Sequence, residues 1–273
     1  MSFKIVADSS SNIKGGNCAV VPLKIYLGEK EYIDNDGLDV RQMMVDFGNS
    51  KEKSSTSCPN ISEWLDAFEG SDEIFAITIS SNLSASYSCA INAKEQYLSE
   101  HENAKVCVID SLSVGPEMEL IVEKITELHN EGKDFYEIEK EVTEFQKRTH
   151  LMFWLKSLDN LARNGRINGA VAKVVSALGI EIVGKASDVG ELQLLHKCRG
   201  KNKSYAKILQ ELEINGFSGK CIISHCNNVQ DALRLKELIN EKFPGAEIIV
   251  NECGGLCSYY AQDGGVVLGY TGN

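Results

Sequence analysis

The chain has few of the features that would point to an extended, membrane-bound or nucleic-acid-bound protein. Only four prolines occur in 273 residues and no low-complexity tract appears, which argues against disorder. No stretch approaches the ~20 consecutive apolar residues of a membrane-spanning helix. The opening MSFKIVADSSS lacks the apolar core and cleavage pattern of a secretory leader, so a cytoplasmic protein with no integral membrane association is expected. Positive charge is also short: 28 Lys and Arg against 39 Asp and Glu leave a net charge of −11. With no basic run to offset it locally, this surface repels phosphate backbones and argues against nucleic-acid partners and anionic membrane surfaces. No G-x-G-x-x-G follows the first strand-like run, and no G-x-x-x-x-G-K-[ST] or G-x-S-x-G occurs anywhere. These absences argue against dinucleotides, P-loop nucleotides and the serine-hydrolase elbow, and no cofactor is expected. The nine cysteines include no C-x-x-C. Zinc sites pair their ligands more tightly than Cys221/Cys226 or Cys253/Cys257, so no metal is expected and the thiols read as small buried hydrophobes in a reducing compartment.

What is present is an alternation of short apolar runs with amphipathic helical patterns. KIVAD (4–8), EIFAITIS (73–80) and KVCVID (105–110) are short, rich in β-branched residues and stopped by polar residues, as buried strands are. Between them, 60–70 and 84–103 have helical character, and 116–150 reads as two helices broken at Gly132, the first opened by Pro116. Strands separated by helices predict βαβ units and a mostly parallel sheet. After about residue 150 the pattern becomes more apolar and punctuated by glycine. Strands are expected at 191–200, 220–226, 247–253 and 266–270, with helices at 203–216 and about 229–243. The reading is an α/β protein of two domains, residues 1–150 and 151–273, with a C-terminal strand that could return to the first domain.

Three hydroxyl-rich turns follow or precede regular elements: Asp8-Ser9-Ser10-Ser11, Ser54-Ser55-Thr56-Ser57-Cys58-Pro59 and Ser80-Ser81-Asn82-Leu83-Ser84-Ala85-Ser86. At the carboxyl ends of strands in an open α/β sheet, hydroxyls and helix N-terminal amides together bind anions such as carboxylate or phosphate. The plainer explanation of any one such turn is helix capping. Arg163-Asn164-Gly165-Arg166 and Arg199 offer guanidinium groups to an anion or to a partner's carboxylates, or are simply solvated. No histidine lies beside a serine nucleophile in sequence, and Cys58 or Cys226 as a nucleophile is a minor alternative. The residues alone leave two readings open: a binding module for a small carboxylated or phosphorylated metabolite, and a hydrolase built on the same Ser/Thr turns.

In their order these landmarks resemble the DegV family of bacterial fatty-acid-binding proteins. The resemblance rests on Lys4-Ile5-Val6-Ala7-Asp8-Ser9-Ser10, Val20-Val21-Pro22-Leu23, Tyr32-Ile33-Asp34 and Thr56-Ser57-Cys58-Pro59, the last resembling T-S-x-P. It continues through Ser80-Ser81-Asn82-Leu83-Ser84-Ala85-Ser86-Tyr87 (S-S-x-L-S-G-T-Y), Ile109-Asp110-Ser111 and Arg163-Asn164-Gly165-Arg166-Ile167. It implies a two-domain fold with one long-chain fatty acid in a tunnel between the domains. It also implies that Thr56 and Ser84 hold the carboxylate, assisted by Ser57 and the amide of Ala85. Some members present the bound acid to a separate fatty-acid kinase subunit, and the resemblance then makes Arg166 and Arg199 partner or phosphate contacts. The chain itself would be no enzyme and would hold no ATP. Where the family often carries H-x-G-P-G, this chain has Tyr259-Tyr260-Ala261-Gln262-Asp263-Gly264, with Tyr260 in the histidine's place. A tyrosine there can still donate a hydrogen bond to a carboxylate, but it is no base near neutral pH.

Overall fold

The computed structural model describes residues 2–273, apart from the side chains of residues 171, 174 and 176. The first half runs β1 (Phe3–Asp8), a 3-10 turn (Ser9–Ser11), β2 (Cys18–Val21), β3 (Lys24–Leu27), β4 (Lys30–Ile33), α1 (Val40–Asn49), β5 (Ser54–Ser57), α2 (Ile61–Phe68), β6 (Glu73–Thr78), α3 (Ser86–Glu100), β7 (Lys105–Asp110), α4 (Pro116–Asn130) and α5 (Phe135–Gln146). The second half runs β8 (Thr149–Leu155), α6 (Asp159–Arg163), α7 (Gly169–Leu178), β9 (Glu181–Ala186), β10 (Leu192–Cys198), α8 (Lys201–Ile214), β11 (Lys220–His225), α9 (Val229–Lys242), β12 (Glu247–Glu252), α10 (Gly255–Ala261) and β13 (Val266–Thr271).

Strands β2-β1-β6-β7 form a sheet that is parallel throughout, as the βαβ pattern predicts. Both of its faces are buried, and the period-2 alternation divides them. Ile5, Ala7, Phe75, Ile77 and Ile109 pack toward α4 and α5, while Val6, Ile74, Ala76 and Val106 pack against Trp64 and Phe68 of α2 and Ala90, Ala93 and Tyr97 of α3. That double burial is why these strands read as continuous apolar runs. The second sheet, β10-β9-β8-β13-β11-β12, is antiparallel except for the β11–β12 pair. Met152 and Trp154 of β8 face α8 and α9, and Leu151, Phe153 and Leu155 face the opposite way.

Several expectations change in detail. Residues 54–57, expected as part of a turn, form β5, which pairs with β3 in a small antiparallel ribbon, β4-β3-β5. Helix α3 begins at Ser86, with Ser84 in the turn ahead of it. Residues 149 and 150, expected at the end of a helix, open β8. The element that returns to the first half of the chain is a helix: β13 lies centrally in the second sheet, while α10 seats Leu256 and Tyr259 in the core of the first.

Helix α10 has no capping side chain of its own. Its leading amides are met from far away in sequence: Gly255 N–H and Leu256 N–H donate to the buried carboxylate of Asp34 at 2.7 and 3.0 Å, and Gly254 N–H donates to Asn12 Oδ1 at 2.9 Å. Across the same interface, the Ser80 hydroxyl donates to Gly190 O at 2.8 Å and Asn82 Nδ2 to Val189 O at 2.5 Å, so the β9–β10 turn rests on the turn that leads to Ser84. Gly190 has φ +77°, and a Cβ there would lie 2.2 Å from the Ser80 hydroxyl, which only glycine avoids.

Candidate functional site

A cavity of about 70 Å³ lies where the two halves meet. Ile79, Leu83 and Val114 wall it from the first sheet's side, and Leu151, Phe153, Leu155, Leu192 and Val267 from the second. Leu256, Cys257, Tyr260 and Ala261 of α10 close it, and among the described residues Arg166 is the one charged side chain in its wall. The wall from the second half is the face of β8 that carries Leu151, Phe153 and Leu155, so the strand's alternation builds the cavity directly.

Polar groups gather beside this apolar space. Thr56 Oγ1 lies 2.8 Å from the Tyr260 hydroxyl, and two residues earlier on the same face Ser54 Oγ lies 2.7 Å from the Tyr259 hydroxyl. Asn164 Nδ2 donates to the Tyr259 hydroxyl at 2.9 Å and Asn160 Nδ2 to Tyr259 O at 2.8 Å. Burial pushes the Tyr260 phenol above its ordinary value, against the pull of Thr56 and Arg166, so the hydroxyl stays protonated and available as a donor. Arg166 Nε donates to Leu83 O at 2.8 Å, tying the loop after α6 to the residue just before Ser84, and the guanidinium also reaches Asn164 O. Ser84 Oγ accepts from Ser86 N–H at 3.3 Å, a local serine turn just ahead of α3, whose N-cap position is Ala85.

Of the residues singled out in the sequence, the fold brings Tyr260 and Arg166 into the cavity wall and bonds Thr56 to Tyr260, while Ser84 follows the lining Leu83 in the chain and is not itself in the wall. Ala85 is exposed just ahead of α3, and its carbonyl accepts from Cys89 N–H. Ser57 is not brought in by its side chain: alternation along β5 turns it to the other face, where its hydroxyl lies 3.4 Å from that of Tyr26. Arg199 is exposed between β10 and α8 and does not line the cavity.

The other hydroxyls of the Ser-rich turns have structural partners. Asp8, buried, accepts from Ile79 N–H at 2.9 Å, from the Ser86 hydroxyl at 2.6 Å, and from Ser10 through both its amide and its hydroxyl. Burial raises the Asp8 pKa and those donors work against the rise. The Ser9 hydroxyl meets Leu23 N–H at 2.9 Å. Sequence reasoning did not single out Tyr259, Asn160, Asn164, Asp8 or Asp34 individually. For Tyr259, Asn164, Asp8 and Asp34 a signal existed, since each sits inside a quoted motif; Asn160 lies in none. The histidines are engaged elsewhere: His129 stacks on Phe3 at 3.7 Å, His196 meets Glu211 at 2.5 Å, and His101 meets Tyr97 O at 2.9 Å. Burial pushes the Cys58 and Cys226 thiols up to about 11, leaving little thiolate near neutrality. Among the described residues, no cluster of His, Cys, Asp and Glu has the arrangement of a metal site, and no helix is long and apolar enough to cross a membrane.

Comparison with known proteins places this geometry in a family. A sequence model described as "Uncharacterised protein, DegV family" matches residues 2–271. A DegV domain-containing protein of Streptococcus gordonii is 40% identical over 278 aligned positions, covering 99% of both chains. Among solved structures, a DegV family protein of Eubacterium eligens loaded with heptadecanoic acid superposes with a TM-score of 0.97 at 39% identity over the full length of both chains. The fatty acid kinase (Fak) B3 protein of Streptococcus pneumoniae, loaded with linoleic acid, gives the same TM-score at 38% identity, again over both chains in full. A Ruminococcus gnavus member of the family, refined with vaccenic acid, is more distant at 26% identity and a TM-score of 0.92, over 98% of this chain and 99% of that one. With a parallel-sheet domain and a mixed-sheet domain in common with these structures, and a family match from residue 2 to residue 271, the chain belongs to the DegV family.

Proposed function

We propose that this protein binds one long-chain fatty acid in the cavity between its two halves and presents the carboxyl group to a partner, a fatty-acid kinase subunit, without catalysing a reaction itself. The observation that carries the reading is an apolar cavity with Thr56, Tyr260, Arg166 and the turn of Ser84 gathered at its edge, in a chain close in sequence to two proteins that hold heptadecanoic and linoleic acid. A buried carboxylate left without donors costs several kcal/mol. Two hydroxyls, a phenol and a guanidinium are enough to meet that cost.

An apolar cavity of ~150 Å³ accommodates benzene. At about 70 Å³ this one must widen to take a long acyl chain, and since its walls come from both halves, entry requires them to part. The residues divide into units 1–150 and 151–273 in this reading, and the protein acts in the cytoplasm. Apolar walls favour an acyl chain over a small polar metabolite, and the high-lying Cys58 and Cys226 thiols give a hydrolase reading little support. Tyr260 in place of the family's histidine suits carboxylate binding through a neutral donor. The position of Arg166 in the cavity wall supports a role for it in meeting an acyl phosphate.

The test is denaturing extraction of the purified protein followed by mass spectrometry, with direct titration of delipidated protein. Near one equivalent of a long-chain fatty acid is expected, and Thr56→Val with Ser84→Ala should weaken binding at least tenfold, since hydrogen bonds to a charged group contribute about 1.5–3 kcal/mol each. An empty protein that also takes up no added fatty acid would overturn the reading.

A further inference from the structure

The space between the two halves continues beyond the cavity already described. A second cavity, of about 480 Å³, is bounded by residues 110–117, the junction of α5 with β8, and the end of β9. Among the described residues, Leu151 is the one that stands in the walls of both cavities. The two lie in line along one face of β8. Alternate residues share a face, so Leu155, Phe153 and Leu151 wall the first cavity, and Leu151 and Thr149 the second. The other walls continue in the same way. Val114 belongs to the first cavity and Leu112 to the second, and Leu192 of the first pairs across β10–β9 with Ala186 of the second.

The head-group residues stand at the opposite end of this line. Arg166 follows β8 in the chain, and Tyr260 precedes β13, whose Val266 pairs with Trp154 near the end of β8. Leu151 is four residues back from Leu155, or ~13 Å along an extended strand. The two cavities also differ in kind. The first is apolar apart from Arg166 and the Tyr260 hydroxyl. The second is lined by Asp110, Glu117, Lys147, Thr149, His150 and Asp188, of which Lys147 and Asp188 are exposed and open it to solvent. Leu151 is 2% exposed and packs in one core with Phe153, Leu155 and Val267. It therefore divides an apolar space from a polar, hydrated one.

We propose that Leu151 is a specificity-determining residue: the partition at which the apolar path for the acyl chain ends, so that its side chain sets the longest fatty acid that still gains affinity. A methylene moved from water into the first cavity is removed from solvent. A methylene carried past Leu151 leaves bulk water only to meet a polar, hydrated wall, and the hydrophobic gain is lost. The inference rests on the lipid-binding reading and adds to it a length limit with a named cause.

The experiment titrates delipidated full-length protein with saturated fatty acids of increasing length. In the parent, affinity should rise about fourfold with each methylene and then level off. In Leu151→Ala the levelling should move to a chain at least two carbons longer. Leu151→Val, a smaller change to a packed core, serves beside it and should move the limit in the same direction by less. The same limit in the parent and in either folded variant overturns the proposal. A second readout reports on the polar cavity itself. At the parent's limiting length, a terminal hydroxyl in place of a terminal hydrogen should cost about tenfold or more, because it is buried without a partner. In Leu151→Ala that penalty should shrink at least threefold, since the hydroxyl then reaches a wet space. An undiminished penalty would show that the two cavities stay separate when Leu151 is cut back, and the partition would be lost. Failure of the parent to bind any fatty acid is a different result: it strikes at the proposed function and takes the length limit with it.

Discussion

Glu117 shows how one side chain links the two halves and leaves a pH signature. It stands in the first turn of α4, fully buried, accepting from the Ser113 hydroxyl at 2.5 Å and from that of Thr149, at the start of β8, at 2.8 Å. Burial pushes its carboxyl from the ordinary 4.5 up to about 7, with both hydroxyls working against the rise. Between those two values the folded state keeps a proton that the unfolded chain has released. Folding stability from this group is therefore full below pH 4.5 and declines as pH rises through about 7. At about 1.36 kcal/mol per unit, the whole change is on the order of 3 kcal/mol. Glu117→Gln removes the titration while keeping a polar amide in place. Urea unfolding of both proteins from pH 4.5 to 8 should show the stability of Glu117→Gln rising relative to the parent through this window and levelling above it. A difference that stays constant across the range would show that Glu117 does not titrate there.

Among the elements, α10 does the most to form the site and was the least legible. It carries Tyr259 and Tyr260, yet its sequence, GLCSYYA, is short, opens on glycine and has no local cap. The cap is Asp34, 221 residues upstream of Gly255. No periodicity over a local window detects a helix whose first turn is completed from another part of the chain. The ribbon strand β5 was missed for a related reason: Ser-Ser-Thr-Ser has little strand propensity, and it is extended because β3 pairs with it. By contrast β1, β6 and β7 were plain, because burial on both faces leaves apolar runs between polar stops. The site follows the same division. The Ser-rich turns were visible as turns, but the Thr56–Tyr260 contact spans 204 residues, and the family resemblance assigned the two residues to the ligand without pairing them. Asp34→Ala tests the distant cap. It leaves the Gly255 and Leu256 amides buried without their acceptor, at about 1–3 kcal/mol each. Urea unfolding should show a loss on the order of 3 kcal/mol, and fatty-acid affinity should fall with it as Tyr260 loses its seat. A variant as stable as the parent would mean that α10 is held by its apolar face alone.

At the scale of the whole molecule, the halves are joined around a space that neither encloses alone. The β9–β10 turn rests on Ser80 and Asn82, Arg166 reaches Leu83, and α10 belongs to both cores through Tyr260, which packs against each. All three ties converge on the segments that carry Ser84 and Thr56, while the long apolar walls lie between them. Head-group recognition and chain burial should therefore contribute separately to affinity. In a series of saturated fatty acids titrated against delipidated protein, each added methylene buried in the cavity should strengthen binding by about 0.8 kcal/mol. The increment should persist until the widened space is filled and then vanish. The same series should raise the unfolding midpoint in step with affinity, because a ligand that binds only the folded chain stabilises it by about 2.7 kcal/mol at a hundredfold excess over Kd. Thr56→Val should lower every affinity by a similar factor and leave the slope per methylene intact, because it removes a head-group contact and no wall. If the slope collapses along with the affinity, head group and chain are not read independently, and the cavity must then open as one unit around the whole ligand.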